Sequence, residues 1–491
     1  MILFFKKEWI PITLLGFLFA LFYCILQNYI AVVWFDEICF SDTPINYILY
    51  GKWHSFVWNY TYNPLHAFLL MGWMKIFGIS HASVCNMNIL FALISFLIIE
   101  FSLINGNYIK KRSSGYILTI LFWLGFTISG IMTKGRIDIL IMLLTVILIS
   151  FALKKNFSFK HYCIIFLTSY LLMMSGMYVI PIVSLFFIYL FAINYNGVGR
   201  RVWFFRGLIV AFAFMVSFLS ICYFYYLHNF LLHYLSSFFT FNSNFTSSDT
   251  FLDKLLSTFY IKRIFSAYFV DTISLVLLAI VWFLYYSKKK ENKQYLALLL
   301  FISLIPLCMV LIGRYQPYYT WIFTLPIILL FCIFYDILPF STFKNICFSV
   351  VILLSFLRPA YWLVKRPAEY KERVAIEHFI QENNSLITKY KNVYFVNAVC
   401  YYAIVDLKGT CCFLNNDNLQ VSNVVEVFIN NLLKLKKYKE YMPSGKLPNS
   451  GIVINTNNKD ELQTIRYLSK NGYSYNIVKN NNFMSIYSFN R

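Results

Sequence analysis

The stretch WIPITLLGFLFALFYCILQNYIAVVWFDE fills residues 9–37 and carries no charge until its last two positions, Asp36 and Glu37. From Trp9 to Ile30 it is uninterrupted and apolar, long enough for a helix to cross the hydrocarbon core, which takes about 20 residues. It follows Lys6-Lys7, exceeds the apolar region of a signal peptide and lacks a small-residue cleavage site after it, so it reads as a retained first span. The acidic pair comes just after Val32-Val33-Trp34-Phe35, at the span's exit. A carboxylate there costs less than at mid-bilayer, where insertion costs about 3 kcal/mol.

The rest of the chain repeats the pattern. Of 491 residues, 59% are hydrophobic, 20% aromatic and only 13% charged; soluble domains carry about 25% charged residues. Mean hydropathy is +0.63. The apolar runs are continuous rather than alternating, which predicts membrane helices and excludes a barrel. About eleven spans follow from the 20-residue yardstick: 9–30, 82–104, 114–133, 137–153, 161–176, 178–195, 207–228, 264–286, 295–313, 318–338 and 345–364.

The net charge of +21 would suggest nucleic acid in a soluble protein. Here the basic residues sit in short clusters between spans, with no stacking platform, and nucleic-acid binding is excluded. Lys6-Lys7, Lys110-Lys111-Arg112, Lys154-Lys155-Lys160, Arg200-Arg201-Arg206, Lys288-Lys289-Lys290-Lys293 and Lys344 all fall on one side. That side is cytoplasmic by the positive-inside rule, with the N-terminus. An odd number of spans puts the C-terminal tail on the outer, periplasmic side of an inner (plasma) membrane.

Two regions depart from the pattern. The first outer loop, about 31–81, holds Trp34, Trp53, Trp58 and Trp73. Its apolar piece from Pro64 to Phe77 is too short to span and suits an interfacial helix, with Pro64 as the start residue. The outer segment 229–262 is also long and aromatic. From about residue 365 the chain turns rich in Asn and Lys. The runs 392–396 and 451–454 read as strands, and 370–383, 424–437 and 459–470 as helices. The fold class is thus an all-α polytopic membrane domain, 1–364, plus a small α/β domain on the outer face, 365–491.

Several residues could carry chemistry. Asp36 and Glu37 are either a plain interfacial acidic pair or a general base whose neighbour tunes it. Lys134, Arg136 and Asp138 form the turn between the third and fourth spans, with its basic residues on the outer side. They either close the turn as an ion pair or, through Lys134 and the Arg136 fork, hold an anion. Arg314, followed by Tyr315, and Arg358 also break the positive-inside trend; each is a snorkelling side chain or an anion ligand. His54 and His66 are surface groups of an aromatic loop or, with the carboxylates, ligands of a divalent metal. The eleven cysteines show neither CxxC nor Cys/His metal spacing; Cys400, Cys411 and Cys412 leave a tail disulfide open.

A base and several cations at the outer face suit a lipid-linked phosphate. An acceptor hydroxyl or amine would attack the anomeric carbon of a polyprenyl-phosphate sugar, Asp36 would take its proton, and Arg136 and Arg314 would stabilise the leaving phosphate. Three other classes compete. A non-enzymatic assembly protein would use its soluble tail as the working part. A transporter or flippase would show charge within spans or matched broken helices. A polymerase or ligase of lipid-linked glycans would place its large outer loop late in the chain.

Phe35-Asp36-Glu37, Asn63-Pro64-Leu65 and Gly78 resemble the first outer loop of the C-type (GT-C) membrane glycosyltransferases. Protein O-mannosyltransferases and the bacterial aminoarabinose transferases belong to this group. Gly135-Arg136-Ile137-Asp138 resembles its Arg-x-Asp turn, and Arg314-Tyr315 with Pro326 its later Arg-Tyr…Pro segment. The resemblance covers about 1–340. It implies an inverting transfer from a polyprenyl-phosphate sugar, with Asp36 at the acidic position. Asn63 replaces the His or first Pro of the mannosyltransferases, and no β-trefoil-like insert is present. Both departures favour a bacterial cell-envelope enzyme.

Overall fold

The computed structural model describes residues 7–30, 35–51, 62–152, 158–176, 200–232, 321–337, 342–395, 399–408, 449–456, 472–481 and 484–491, with a few isolated residues between them. The expected spans 178–195 and 295–313, most of 264–286, and the expected helix 424–437 lie outside these residues.

Helix α1 runs Ile10–Ile30, α2 Phe35–Tyr50, α3 Pro64–Phe77 and α4 His81–Asn105. The acidic pair therefore opens a second helix rather than ending the first. Helix α3 matches the expected interfacial segment. Pro64 begins it, where a missing N–H costs nothing. Gly78 ends it at φ 84°, donating to the Met74 carbonyl at 2.8 Å. Ser80 then caps α4 by accepting from the Ser83 N–H at 3.1 Å.

The single span expected over 114–133 is two helices, α5 Arg112–Leu124 and α6 Phe126–Met132. The chain bends at Gly125, where a Cβ would lie 2.2 Å from the Leu121 carbonyl oxygen. Helices α7 Asp138–Ala152, α8 Phe159–Ser175, α9 Arg200–Leu227 and α10 Trp321–Ile337 follow. Among the described residues three helical stretches are long and apolar enough to cross a membrane: Ile10–Gln27, His81–Asn105 and Phe204–Leu227. Leu14, Leu18 and Leu21 of α1 and Phe204, Leu219 and Tyr223 of α9 are all exposed. Such apolar outer faces belong in lipid, and the chain is an integral membrane protein. The inner faces pack together: Phe96 of α4 meets Phe122 and Trp123 of α5, and Tyr23 of α1 donates to the Trp123 carbonyl at 2.8 Å.

Helix α11, Thr342–Ser355, is shorter than the expected last span. A new helix, α12, runs Leu357–Glu382 and takes in both the end of that span and the expected helix 370–383. Pro359 sits in its first turn, the position a helix tolerates. Beyond it come β1 Val393–Phe395, α13 Cys400–Lys408, β2 Cys412–Phe413, β3 Ser450–Thr456, β4 Ser474–Asn480 and β5 Met484–Asn490. They form one five-stranded sheet in the order β2-β1-β3-β5-β4. Strand β1 lies parallel to β2 and β3, whereas β5 lies antiparallel to β3 and β4. The two expected strands are β1 and β3, at the centre.

One apolar core joins this sheet to the first-loop helices. Ile376, Phe379 and Ile380 of α12 and Tyr401 and Ile404 of α13 pack with Ile38 and Ile45 of α2, Leu70 and Met74 of α3 and Val84 of α4. That packing positions the site.

Candidate active site

Helix α2 starts at Phe35, so Asp36 and Glu37 lie in its first turn, where the helix dipole favours negative charge. The Glu37 side chain is fully buried. Its Oε2 lies 2.7 Å from Nε2 of His81, in the first turn of α4. Ser41, one turn along α2, donates to the Glu37 carbonyl at 2.9 Å.

The Lys134–Asp138 turn closes onto this pair. A Cβ at Gly135 would lie 2.4 Å from Val84 Cγ1 and 3.5 Å from the Cβ and Cγ of Glu37, so only glycine lets the turn approach. Asn88 of α4 holds the turn's backbone, donating to the Lys134 carbonyl at 2.5 Å and the Arg136 carbonyl at 2.7 Å. Arg136 donates through Nε to Asp138 Oδ2 at 2.8 Å, and its guanidinium lies 5.7 Å from the Phe40 ring centre. The ion pair considered in the sequence is therefore formed, and it orients Arg136, which is 5% exposed, toward α2.

Helix α13 covers the opposite side. Tyr401 donates to Asp42 Oδ1 at 2.6 Å, and Tyr402 meets the Ser41 hydroxyl at 3.0 Å. The Tyr402 and His81 rings lie 5.7 Å apart. Burial pushes the Tyr402 phenol well above its ordinary range, and Glu37, Cys85 and Asp42 push the same way. It stays protonated.

His66, on α3, is not a surface group: it is 2% exposed, edge-on to Phe40 at 5.8 Å. Burial pushes its imidazole down to about 4, so it is neutral at pH 7. Asn63 plays an architectural part, donating to the Met173 carbonyl and accepting from Tyr234 at 3.0 Å. His54, Arg314 and Tyr315 lie outside the described residues. Arg358 is in the first turn of α12; its side chain and that of Asp36 lie outside the description.

Sequence reasoning noted Asp42 close after the acidic pair but missed His81, Cys85 and the α13 tyrosines. His81, Cys85 and Asn88 stand at i, i+4 and i+7, one stripe of α4. That polar stripe in an apolar helix was the available signal, and it corrects the reading that no Cys/His metal spacing exists. Among the described residues Glu37, His81 and Cys85 form a group whose donor atoms lie within 4.8 Å of one another.

No protein-family model matches the sequence. No curated protein matches it either. Solved structures do match. ArnT, the aminoarabinose transferase, from Cupriavidus metallidurans bound to undecaprenyl phosphate, covers 99% of this chain and 98% of its own, with TM-score 0.58 and 11% identity. Its apo form covers 98% of each chain with TM-score 0.56 and 10% identity. The chain has the GT-C fold. The Archaeoglobus fulgidus oligosaccharyltransferase, tethered to an acceptor peptide, covers 95% of this chain and 70% of its own, with TM-score 0.46 and 12% identity. In this GT-C chain the first-loop helix α2, the start of α4, the 134–138 turn and helix α13 meet around Glu37.

Proposed function

We propose that this chain is an inverting glycosyltransferase that moves a sugar from a polyprenyl-phosphate donor to an acceptor at the outer face of the membrane. The observation that carries the reading is the closure of a cationic turn, Lys134 to Asp138, onto the acidic start of α2. The ArnT likeness over nearly the whole chain, in a form holding undecaprenyl phosphate, supports the same donor class.

Asp36 is the general base. It takes the proton of the acceptor as the acceptor oxygen or nitrogen bonds to the anomeric carbon. The bond from that carbon to the phosphate oxygen breaks, and its electron pair leaves with the polyprenyl phosphate. Negative charge grows on the phosphate, where Lys134, Arg136, Arg314 and Arg358 stabilise it most in the transition state. The Asp138 bond fixes the direction of the Arg136 fork, which reduces the reorganisation needed at that moment. Glu37, held by His81, keeps the first turn of α2 in place. The catalytic unit is residues 1–364, and 365–491 form an extracytoplasmic α/β domain that seals the site through α13.

The test is incubation of the purified chain with a panel of polyprenyl-phosphate sugars, scoring release of polyprenyl phosphate. Wild type should release it from at least one donor, Asp36→Asn should stop release while keeping its fold, and Arg314→Ala should slow it. No turnover and no binding with any donor would sink the reading.

A further inference from the structure

Helix α4 begins with His81 and presents Cys85 one turn later on the same face. Glu37 reaches them from α2. All three are buried, at 0%, 6% and 0% exposure for Glu37, His81 and Cys85. The Cys85 sulfur lies 3.5 Å from His81 Nε2, and Glu37 Oε2 lies 2.7 Å from that same nitrogen. One imidazole nitrogen thus faces a carboxylate and a thiol at once. We propose that Glu37, His81 and Cys85 bind a zinc ion that ties the acidic start of α2 to the start of α4.

The donor types select the ion. Calcium and magnesium take oxygen ligands, six or more, and a sulfur with an imidazole does not suit them. A mixed oxygen, nitrogen and sulfur set suits zinc, with bonds of about 2.0–2.3 Å and a fourth position left for water or another group. Donor atoms around such an ion stand about 3.3–3.8 Å apart. The Cys85–His81 separation already does. The Glu37–His81 contact, at 2.7 Å, would have to open to that range around the ion. Tyr402, across the His81 ring, closes the remaining side from α13.

The consequence goes beyond transfer chemistry. The ion would be resident, enclosed beneath α13, and its role would be to hold the helix turn that carries Asp36. Because the chelating atoms come from two helices far apart in sequence, binding would also stabilise the fold.

The full chain, purified in detergent without chelator, is passed through gel filtration and its metal measured by plasma mass spectrometry. About one zinc per chain is expected. Reconstitution with Co²⁺ should give a thiolate-to-cobalt charge-transfer band in the near ultraviolet. Cys85→Ser should abolish that band, and His81→Gln should bring retained zinc to near zero. Monodisperse wild-type chain that keeps no zinc after loading and shows no thiolate–cobalt band would overturn the proposal, leaving only the Glu37–His81 contact. The wild-type spectrum decides even where a variant fails to fold, and neither readout depends on glycosyl transfer.

Discussion

His66 is a residue whose chemistry is set by its neighbours. Enclosed beside Phe40, it resists protonation down to about pH 4, against 6.5 when unfolded. Between those values the unfolded chain binds the proton and the folded chain does not. Stability is therefore full above about pH 6.5 and falls as pH drops toward 4, by up to about 3 kcal/mol from this group. We expect His66→Gln to show a smaller drop in melting temperature between pH 7 and pH 4.5 than wild type, by thermal scanning in detergent. Equal drops would show that His66 does not drive the acid sensitivity. Tyr401 poses a second question at this scale. Its phenol bonds a buried carboxylate, Asp42, and hydrogen bonds to charged groups contribute about 1.5–3 kcal/mol. Tyr401→Phe should lose stability in that range in chemical unfolding, whereas a loss near zero would mark the contact as incidental.

Among the elements, α3 was legible because Pro64 and Gly78 bracket it, and both act locally. The Gly125 break was not, since the apolar run goes straight through it and only the packed backbone shows that a Cβ there would meet the Leu121 carbonyl. The β4–β5 hairpin was missed for a related reason: β5 is buried on both faces and β4 is exposed along nearly its whole length, so neither strand has one buried and one exposed face. At the 134–138 turn the close approach of Gly135 to Val84 makes a sharp prediction. Gly135→Ala should destabilise the chain by about 1–3 kcal/mol through overpacking and reduce transfer further by pushing the turn from α2. A variant with wild-type melting and wild-type turnover would contradict the tight closure.

For the whole molecule, orientation rests on the basic clusters, and the sheet provides a handle on it. Cys400 is buried, and burial pushes its thiol up to about 12. It should resist a membrane-impermeant maleimide on intact cells and react from the outside only once the C-terminal region is unfolded by mild denaturant. Labelling only after the membrane is broken would reverse the proposed topology.

The sequence by itself determined that the chain carries long apolar helices suited to a membrane, the place of α3, the strands β1 and β3, and the acidic and basic residues on offer. Those follow from local composition and spacing, which the chain carries whatever its fold. Only the tertiary structure decided what Glu37 faces. His81 is 44 positions away, Arg136 is on another turn, and Tyr402 comes from the far end of the chain. Each meets α2 because burying the apolar faces of α3, α12 and α13 leaves one arrangement in which those surfaces close together. No pattern within a single helix records that choice.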